Sequence, residues 1–230
     1  MIERYSLSAS PEHVGATFGI DPHGFEKPLF NAAPGQLLPV ITMNSEGLSH
    51  FYWGTAPQWA KNKSIGEKLI NTRQELISER PAIRKKIGRY RCAVPADGFY
   101  AWKKLGKKTA VPHRFELQNK GLFSMAALWE EYDDEAGENI HTFTLITQPA
   151  IRWVEPVHER MPVILDVAHH RQWLAAESES DAMAVIESVN NIALTHFTIS
   201  PRINSPTNND STLIIPTPSA DQFGNLTLFD

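Results

Sequence analysis

Several polar side chains stand in short, turn-rich segments between apolar residues, where they could bind a polar ligand or transfer a proton. The set comprises Asn31, Trp53, Trp59, Asn71, Arg73, Asp97, His158, Arg160, Asn204 and Asn208. Burying such groups costs free energy unless they are hydrogen-bonded, and each one alone is typical of a turn or a helix cap. Together they predict amides and guanidinium groups on a rigid wall, with His158 able to move a proton near neutral pH.

Other kinds of site have little support in the sequence. His169 and His170 are adjacent rather than four residues apart, so we expect no shared metal on one helix face. Neither a glycine-rich phosphate loop nor a nucleophile elbow is present. The single cysteine, Cys92, lies among apolar residues of a predicted strand, which favours burial in the core over nucleophilic catalysis. We therefore predict no metal and no cofactor.

The charge is distributed unevenly along the chain. The formal net charge is −4, but residues 80–108 contain ten basic residues and one acidic residue, a net charge of +9 against −13 elsewhere. A basic patch can contact phosphates even when the whole protein is an anion. The alternative is a solvated basic helix followed by a basic turn. The overall charge therefore does not exclude nucleic acid as a partner.

The elements that must position these residues suggest one globular domain. The chain has 230 residues, 42% of them hydrophobic, which is enough for one large core. It lacks the pattern of a signal peptide or a membrane span, so we expect a cytoplasmic protein without a membrane partner. Start and stop signals predict four helices. These are Ser10–Phe18, Arg80–Gly88, Asp166–Ala176 and Ser180–Val189.

Short β-branched and aromatic runs bounded by turn residues predict nine strands. Two segments, 104–108 and 118–121, are typical of hairpin connections, and the acidic run 130–138 is typical of a hairpin loop. The helices are spaced too irregularly for repeated βαβ units. The sequence therefore predicts an α+β domain with a twisted, mainly antiparallel sheet and peripheral helices.

Six motifs, in order and spacing, resemble those of the SRAP family, the SOS-response-associated peptidase domain of abasic-site processing proteins. They are FNAAPG, WGTAPQW, LINTRQE, RCAVPADGFYAWKK, VHERMPVIL and ISPRINSPTNND. The resemblance covers residues 1–217 and leaves a tail at 218–230. It implies a single α+β domain whose sheet, or open barrel, surrounds a basic cleft. It also implies that single-stranded DNA with an abasic site is the partner.

The resemblance further implies a covalent chemistry. In the family, a cysteine that follows the initiator methionine captures the sugar aldehyde of the abasic site as a thiazolidine, assisted by a glutamate and a histidine. His158 falls on the family histidine. The DNA-contacting positions are matched by Arg4, Asn31, Trp59, Asn71 and Arg73, and we expect Arg160, Asn204 and Asn208 to join them.

Two departures from the family pattern bear on that chemistry. Position 2 is Ile2 where the family has its cysteine, and position 101 is Ala101 where the family has its glutamate. A side chain as large as Ile2 should also prevent removal of Met1. The α-amine of Met1 then remains as a nucleophile, because an unperturbed amine with a pKa near 8 is partly unprotonated at neutral pH.

These observations leave three functions open. The first is binding of abasic single-stranded DNA by a monomer, with stable crosslinking lost and residual Schiff-base or lyase chemistry through Met1 and His158. The second is a non-catalytic module that uses the same cleft for a nucleotide or a peptide. The third is the peptidase activity that the family name states, which has the weakest support because Ile2 leaves no cysteine to expose.

Overall fold

The computed structural model describes residues 2–54, 70–107, 109–133, 137, 139–189 and 192–227. Within them, the helices are α1 (Pro11–Phe18), α2 (Gln74–Glu79), α3 (Pro81–Arg89), α4 (Val167–Ala175) and α5 (Glu179–Ser188), with 3₁₀ helices at Pro201–Asn204 and Ser211–Ile214. The strands are β1 (Tyr5–Leu7), β2 (Leu29–Ala32), β3 (Leu37–Thr42), β4 (Ser49–Trp53), β5 (Asn71–Arg73), β6 (Arg91–Ala96), β7 (Gly98–Lys104), β8 (Ala110–Leu117), β9 (Phe123–Asp133), β10 (Asn139–Pro149), β11 (Arg160–Pro162), β12 (Ile164–Leu165) and β13 (Leu194–Thr198).

These strands form two sheets. The first has the order β13–β8–β7–β1–β2 and is antiparallel throughout. The second has the order β11–β10–β4–β3–β6–β9–β12, and β9 also pairs with β10, which closes five of its strands into a small barrel. Strands β4 and β5 run parallel to β10. The predicted α+β class with a mainly antiparallel sheet is confirmed.

All four predicted helices form, although α5 begins at Glu179 after the cap Ser178 rather than at Ser180. The Ser10 side chain accepts a hydrogen bond from the backbone N–H of His13 at 3.3 Å, Pro11 follows it, and α1 ends at Gly19 with φ 71°. Asp166 caps α4 in the same way, at 2.8 Å from the nitrogen of His169. No helix among the described residues is long and apolar enough to cross a membrane.

Two features of the chain path differ from the sequence prediction. Helix α2 was not expected, because six residues show too little periodicity to reveal a helix. The segment 118–121 does turn, with Lys120 at φ 56°, but the predicted hairpin is wrong. Strand β8 belongs to the first sheet and β9 to the second, so the turn carries the chain from one sheet to the other. By contrast, β9 and β10 pair antiparallel across the acidic run, as predicted.

The largest hydrophobic cluster draws on both sheets. It contains Ile2, Trp53, Cys92, Ala101 and Phe115, all fully buried. Burial raises the pKa of the Cys92 thiol, which keeps it protonated and unreactive. The prediction that Cys92 is a core residue is confirmed.

The basic stretch does not form one free cationic surface. Arg84 is paired with Glu179 at 3.0 Å, Lys86 is paired with Glu130, and Arg91 is fully buried. Helix α3 contacts α5, whereas Lys103 and Lys104 end β7 in the other sheet. The described basic residues of this stretch are therefore divided between separate parts of the fold, and part of their charge is neutralised.

A buried histidine makes the stability depend on pH. His170 is 2% exposed, its Nδ1 lies 2.9 Å from the Ser124 hydroxyl, and burial lowers its pKa to about 4. Between about pH 6.5 and 4, the unfolded chain binds the proton more readily, so we expect the free energy of unfolding to fall by up to about 3 kcal/mol as the pH falls through this window.

Urea unfolding at several pH values tests this expectation. His170→Gln keeps a hydrogen-bonding group for Ser124 and should remove most of the pH dependence in that window. His169→Gln, at the neighbouring and more exposed position, is the control and should leave it in place. An unchanged pH dependence in His170→Gln would contradict the assignment.

Candidate functional site

Four of the predicted polar residues meet at the C-terminal end of β10. Asn71 and Arg73 lie on β5, which pairs in parallel with Leu145–Thr147 of β10. On the other edge of β10, β11 begins with Arg160, which pairs with Pro149. Because β10 separates these two short strands, residues about 90 positions apart in sequence face one site. The structure thus brings together Asn71, Arg73, His158 and Arg160.

Asn71 holds the beginning of the described chain. Its Nδ2 donates a hydrogen bond to the carbonyl oxygen of Ile2 at 2.7 Å, while its Oδ1 is buried and accepts none from the described residues. The side chain of Ile2 is fully buried in the main core. The backbone at position 2 is therefore fixed beside β5, although the side chain there is aliphatic.

His158 is a half-buried imidazole just before β11. Its Nδ1 lies 3.0 Å from the backbone nitrogen of Arg160 and 2.9 Å from the carbonyl oxygen of the same residue. Burial lowers the pKa of His158, and the charge of Lys104 acts in the same direction. A larger fraction of the ring is therefore neutral near pH 6 than in an exposed histidine, as a proton acceptor requires.

Arg160 and Arg73 differ in their surroundings. Arg160 forms two hydrogen bonds with Glu75, from Nη1 to Oε1 at 2.7 Å and from Nη2 to Oε2 at 2.9 Å. Arg73 precedes α2 and its side chain is exposed. Since a planar guanidinium suits phosphate, Arg73 is the more accessible of the two for an anionic ligand. Glu75 belongs to one of the quoted motifs, but no sequence signal marked it as a partner of Arg160.

Ala101 lies in the same hydrophobic cluster as Ile2. Alternation along β7 directs Phe99 and Ala101 into the main core, whereas Tyr100 and Trp102 face the other side of the sheet. Directly opposite Ala101 on β8 is His113, which is 2% exposed and has its Nδ1 3.2 Å from Nδ1 of His196. Nothing in the sequence indicates this histidine pair, because only the strand register brings the two rings together.

Asn31, Asn204 and Asn208 form a second cluster on the far side of the first sheet. Nδ2 of Asn31 donates to the carbonyl oxygens of Ile203, Ser205 and Asn208 at 3.2, 2.9 and 3.0 Å. Oδ1 of Asn204 accepts from the indole N–H of Trp102 at 2.9 Å. These asparagines hold the segment around 201–208 to the sheet. Their contact with DNA stays a prediction.

The remaining predicted site residues are Arg4, Met1 and Trp59. Arg4 is half-buried, its Nη1 donates to the carbonyl oxygen of Glu3 at 2.7 Å, and burial lowers the pKa of its guanidinium. Met1 and Trp59 lie outside the described residues. Within the described parts of the chain, no group of three or more His, Cys, Asp or Glu side chains could hold a metal ion.

Comparisons with known proteins agree with this fold and show the family. A crystal structure of a protein from Bacteroides thetaiotaomicron matches with a TM-score of 0.78 at 24% identity, over 93% of this chain and 99% of that chain. The sequence model of the family "SOS response associated peptidase (SRAP)" matches residues 1–206. The chain is therefore an α+β protein that belongs to the SRAP family.

Named relatives within this family are similar over most of their length. The abasic site processing protein YoaM of Bacillus subtilis is 35% identical over 221 residues, 93% of this chain and 97% of YoaM. The abasic site processing protein YobE of the same organism is 38% identical over 179 residues, 76% of this chain and 82% of YobE.

Proposed function

We propose that this protein recognises abasic sites in single-stranded DNA. The relatives at 35–38% identity are named abasic site processing proteins, and this chain covers 97% and 82% of two of them. The observation that supports the proposal most is the hydrogen bond from Asn71 to the carbonyl oxygen of Ile2, on the strand that also carries the exposed Arg73. It holds Ile2, the first described residue, beside a polar side chain and two residues along the strand from a cation that suits phosphate.

The proposed reaction stops short of a stable crosslink. A thiazolidine ring needs one sulfur and one nitrogen from the same residue, and Ile2 has no thiol. Ala101 likewise has no carboxylate to exchange protons. Both side chains are fully buried among apolar residues. We therefore expect affinity for the lesion without durable covalent capture.

Residual chemistry through the α-amine of Met1 remains available. The unprotonated amine attacks C1′ of the open-chain sugar, loss of one water gives an imine, and uptake of one proton makes it an iminium ion. His158 then accepts the proton of C2′, the electron pair of that C–H bond forms a C2′–C3′ double bond, and the C3′–O bond breaks so that its electron pair leaves with the phosphate. The lowered pKa of His158 favours the neutral form that this step needs.

A trapping experiment tests the function. The protein is mixed with a single-stranded oligonucleotide carrying one abasic site, with and without borohydride, and run on a denaturing gel. We expect a trapped complex only with borohydride, and cleavage of the strand in its absence. An oligonucleotide with a tetrahydrofuran in place of the abasic sugar binds but has no aldehyde, so it serves as the control.

The same experiment contains the outcomes that contradict the proposal. A crosslink that survives denaturation without borohydride would show that Ile2 does not prevent stable capture. His158→Gln should reduce strand cleavage at least about tenfold while leaving binding intact, as expected when a general base is removed. Equal cleavage in that variant would remove His158 from the mechanism.

A second candidate function is a non-catalytic module with a different ligand in the cleft. It is favoured by the ion pairs of Arg84 and Lys86 and the burial of Arg91, which withdraw part of the basic stretch from DNA. Failure to bind any oligonucleotide at low salt, where phosphate contacts are strongest, would favour this function over DNA recognition.

A further inference from the structure

Glu75 and Arg160 join two segments that each carry part of the site. Glu75 lies in the first turn of α2, and Arg160 is the first residue of β11. Two parallel hydrogen bonds of 2.7 and 2.9 Å connect the guanidinium and the carboxylate. This bidentate geometry fixes the relative orientation of both groups as well as their distance.

The guanidinium of Arg160 is held on a second side. Its Nη2 donates to the carbonyl oxygen of Thr147 on β10 at 2.6 Å and lies 3.2 Å from the hydroxyl of Thr147. The side chain is 14% exposed, and its Nε is buried without a hydrogen bond to any described residue. Both terminal nitrogens are thus engaged within the protein, which leaves this arginine little freedom to reach a phosphate.

Each residue of the ion pair is connected to a different part of the site: Glu75 to Asn71, and Arg160 to His158. On one side, Glu75 follows Asn71 by four residues, and Asn71 binds the carbonyl oxygen of Ile2 at 2.7 Å. On the other side, the backbone nitrogen and carbonyl oxygen of Arg160 flank Nδ1 of His158 at 3.0 and 2.9 Å. A displacement of α2 relative to β11 would therefore move Ile2 relative to the imidazole.

We propose that Glu75 is a positioning residue that, through Arg160, holds His158 at a fixed distance from Ile2, the first described residue. This inference rests on the proposed function, because it assigns the two groups of that reaction to the two ends of one ion pair. Its consequence is that Arg160 stabilises the site from within, and that Arg73 is left as the phosphate-binding cation of this cluster.

The rival assignment is that Arg160 binds phosphate and Glu75 merely competes for it. The two assignments predict opposite effects of removing the carboxylate charge. If Glu75 competes, Glu75→Gln frees Arg160 and tightens DNA binding. If Glu75 positions His158 through Arg160, the same change loosens that connection, slows the reaction and leaves the affinity for intact DNA unchanged.

The test compares Glu75→Gln with Glu79→Gln, an exposed glutamate at the other end of the same helix. Nitrogen NMR of the His158 ring is recorded in the free protein, since this signal does not depend on catalysis. Glu159 and Lys104, two charged side chains that act on His158, are unchanged in both variants. We expect a shifted tautomer balance or titration for Glu75→Gln and wild-type behaviour for Glu79→Gln.

Two further measurements complete the design. Borohydride trapping should slow at least about tenfold in Glu75→Gln, with affinity for undamaged single-stranded DNA within about twofold of wild type. Arg160→Lys keeps a positive charge but loses the bidentate geometry, so it should behave like Glu75→Gln. Wild-type NMR signals in both Glu75→Gln and Arg160→Lys, or tighter DNA binding by Glu75→Gln, would overturn the proposal.

Failure of the positioning role and failure of the proposed function give different results. If the wild-type protein neither binds nor is trapped by abasic DNA, the proposed function fails. The NMR comparison still decides whether Glu75 controls the environment of His158. If trapping and binding occur but all the glutamate and arginine variants match wild type, only the positioning role fails.

Discussion

A variant carrying Ile2→Cys, Glu3→Gly and Ala101→Glu is expected to crosslink to abasic single-stranded DNA without borohydride. A small residue at position 2 permits removal of Met1, so that the cysteine supplies both the amine and the thiol of a thiazolidine. The expected change is from no crosslink that survives denaturation to capture of most of the oligonucleotide. A denaturing gel measures it, and mass spectrometry establishes that Met1 has been removed.

The positions of the substituted residues set the cost of this variant. Ile2 is fully buried, and replacing it by cysteine removes methyl groups from a packed core at a cost of about 1–2 kcal/mol. Ala101 is also fully buried, so a glutamate there adds a few kcal/mol unless its carboxylate finds a donor. Thermal unfolding must therefore accompany the gel, so that an unfolded variant is recognised.

A matched control isolates the thiol. Ile2→Ala with Glu3→Gly and Ala101→Glu allows the same removal of Met1 but supplies no sulfur. We expect this control to be trapped only with borohydride. A cysteine variant that is processed and folded yet fails to crosslink would show that the cleft has diverged beyond positions 2 and 101.

Replacing Arg91 by alanine is expected to lower the free energy of unfolding more than any other single substitution proposed for this protein. Arg91 is fully buried, its Nε donates to the carbonyl oxygen of Trp173 at 2.8 Å, and its terminal nitrogens donate to the carbonyl oxygens of Ile87, Gly88 and Ala176. Its guanidinium also lies over the Trp173 ring, 5.6 Å from the centroid. Truncation leaves these carbonyls without donors, at an expected cost of about 3–5 kcal/mol.

Calorimetry or denaturant unfolding measures this loss, which corresponds to a fall in Tm of about 10 °C for a chain of this size. Arg89→Ala, two residues earlier and exposed, is the control and should change the stability by less than about 0.5 kcal/mol. Arg91→Met retains most of the packing and separates it from the hydrogen bonds. A stability of Arg91→Ala equal to that of Arg89→Ala would contradict the assignment.

Much of the fold was predictable because local signals control it. The caps at Ser10 and Asp166 and the proline at position 81 place three helices to within a residue or so of their predicted limits. Pairing of β7 with β8 follows from the turn between them. The hairpin predicted at 118–121 was wrong, because a turn sequence specifies a reversal of direction but not which sheet the next strand joins.

The candidate site was predictable only in part. Motif order identified Asn71, Arg73, His158 and Arg160, and the structure brings these four together. The same motifs grouped Asn31, Asn204 and Asn208 with them, yet these lie across the first sheet. Alternation along β7 separates Ala101 from Trp102, the partner of Asn204, and nothing local in the sequence indicates which face the segment 201–208 will cover.

The sequence by itself determined which side chains stand at the positions proposed to react: no thiol at position 2, no carboxylate at position 101, and a histidine at 158. Only the tertiary structure decided which charges are available. Arg91 is buried in the core, Arg160 is paired with Glu75, and Arg73 remains exposed. The physical reason is that side-chain chemistry is a local property, whereas burial and pairing depend on residues that only the folded chain brings into contact.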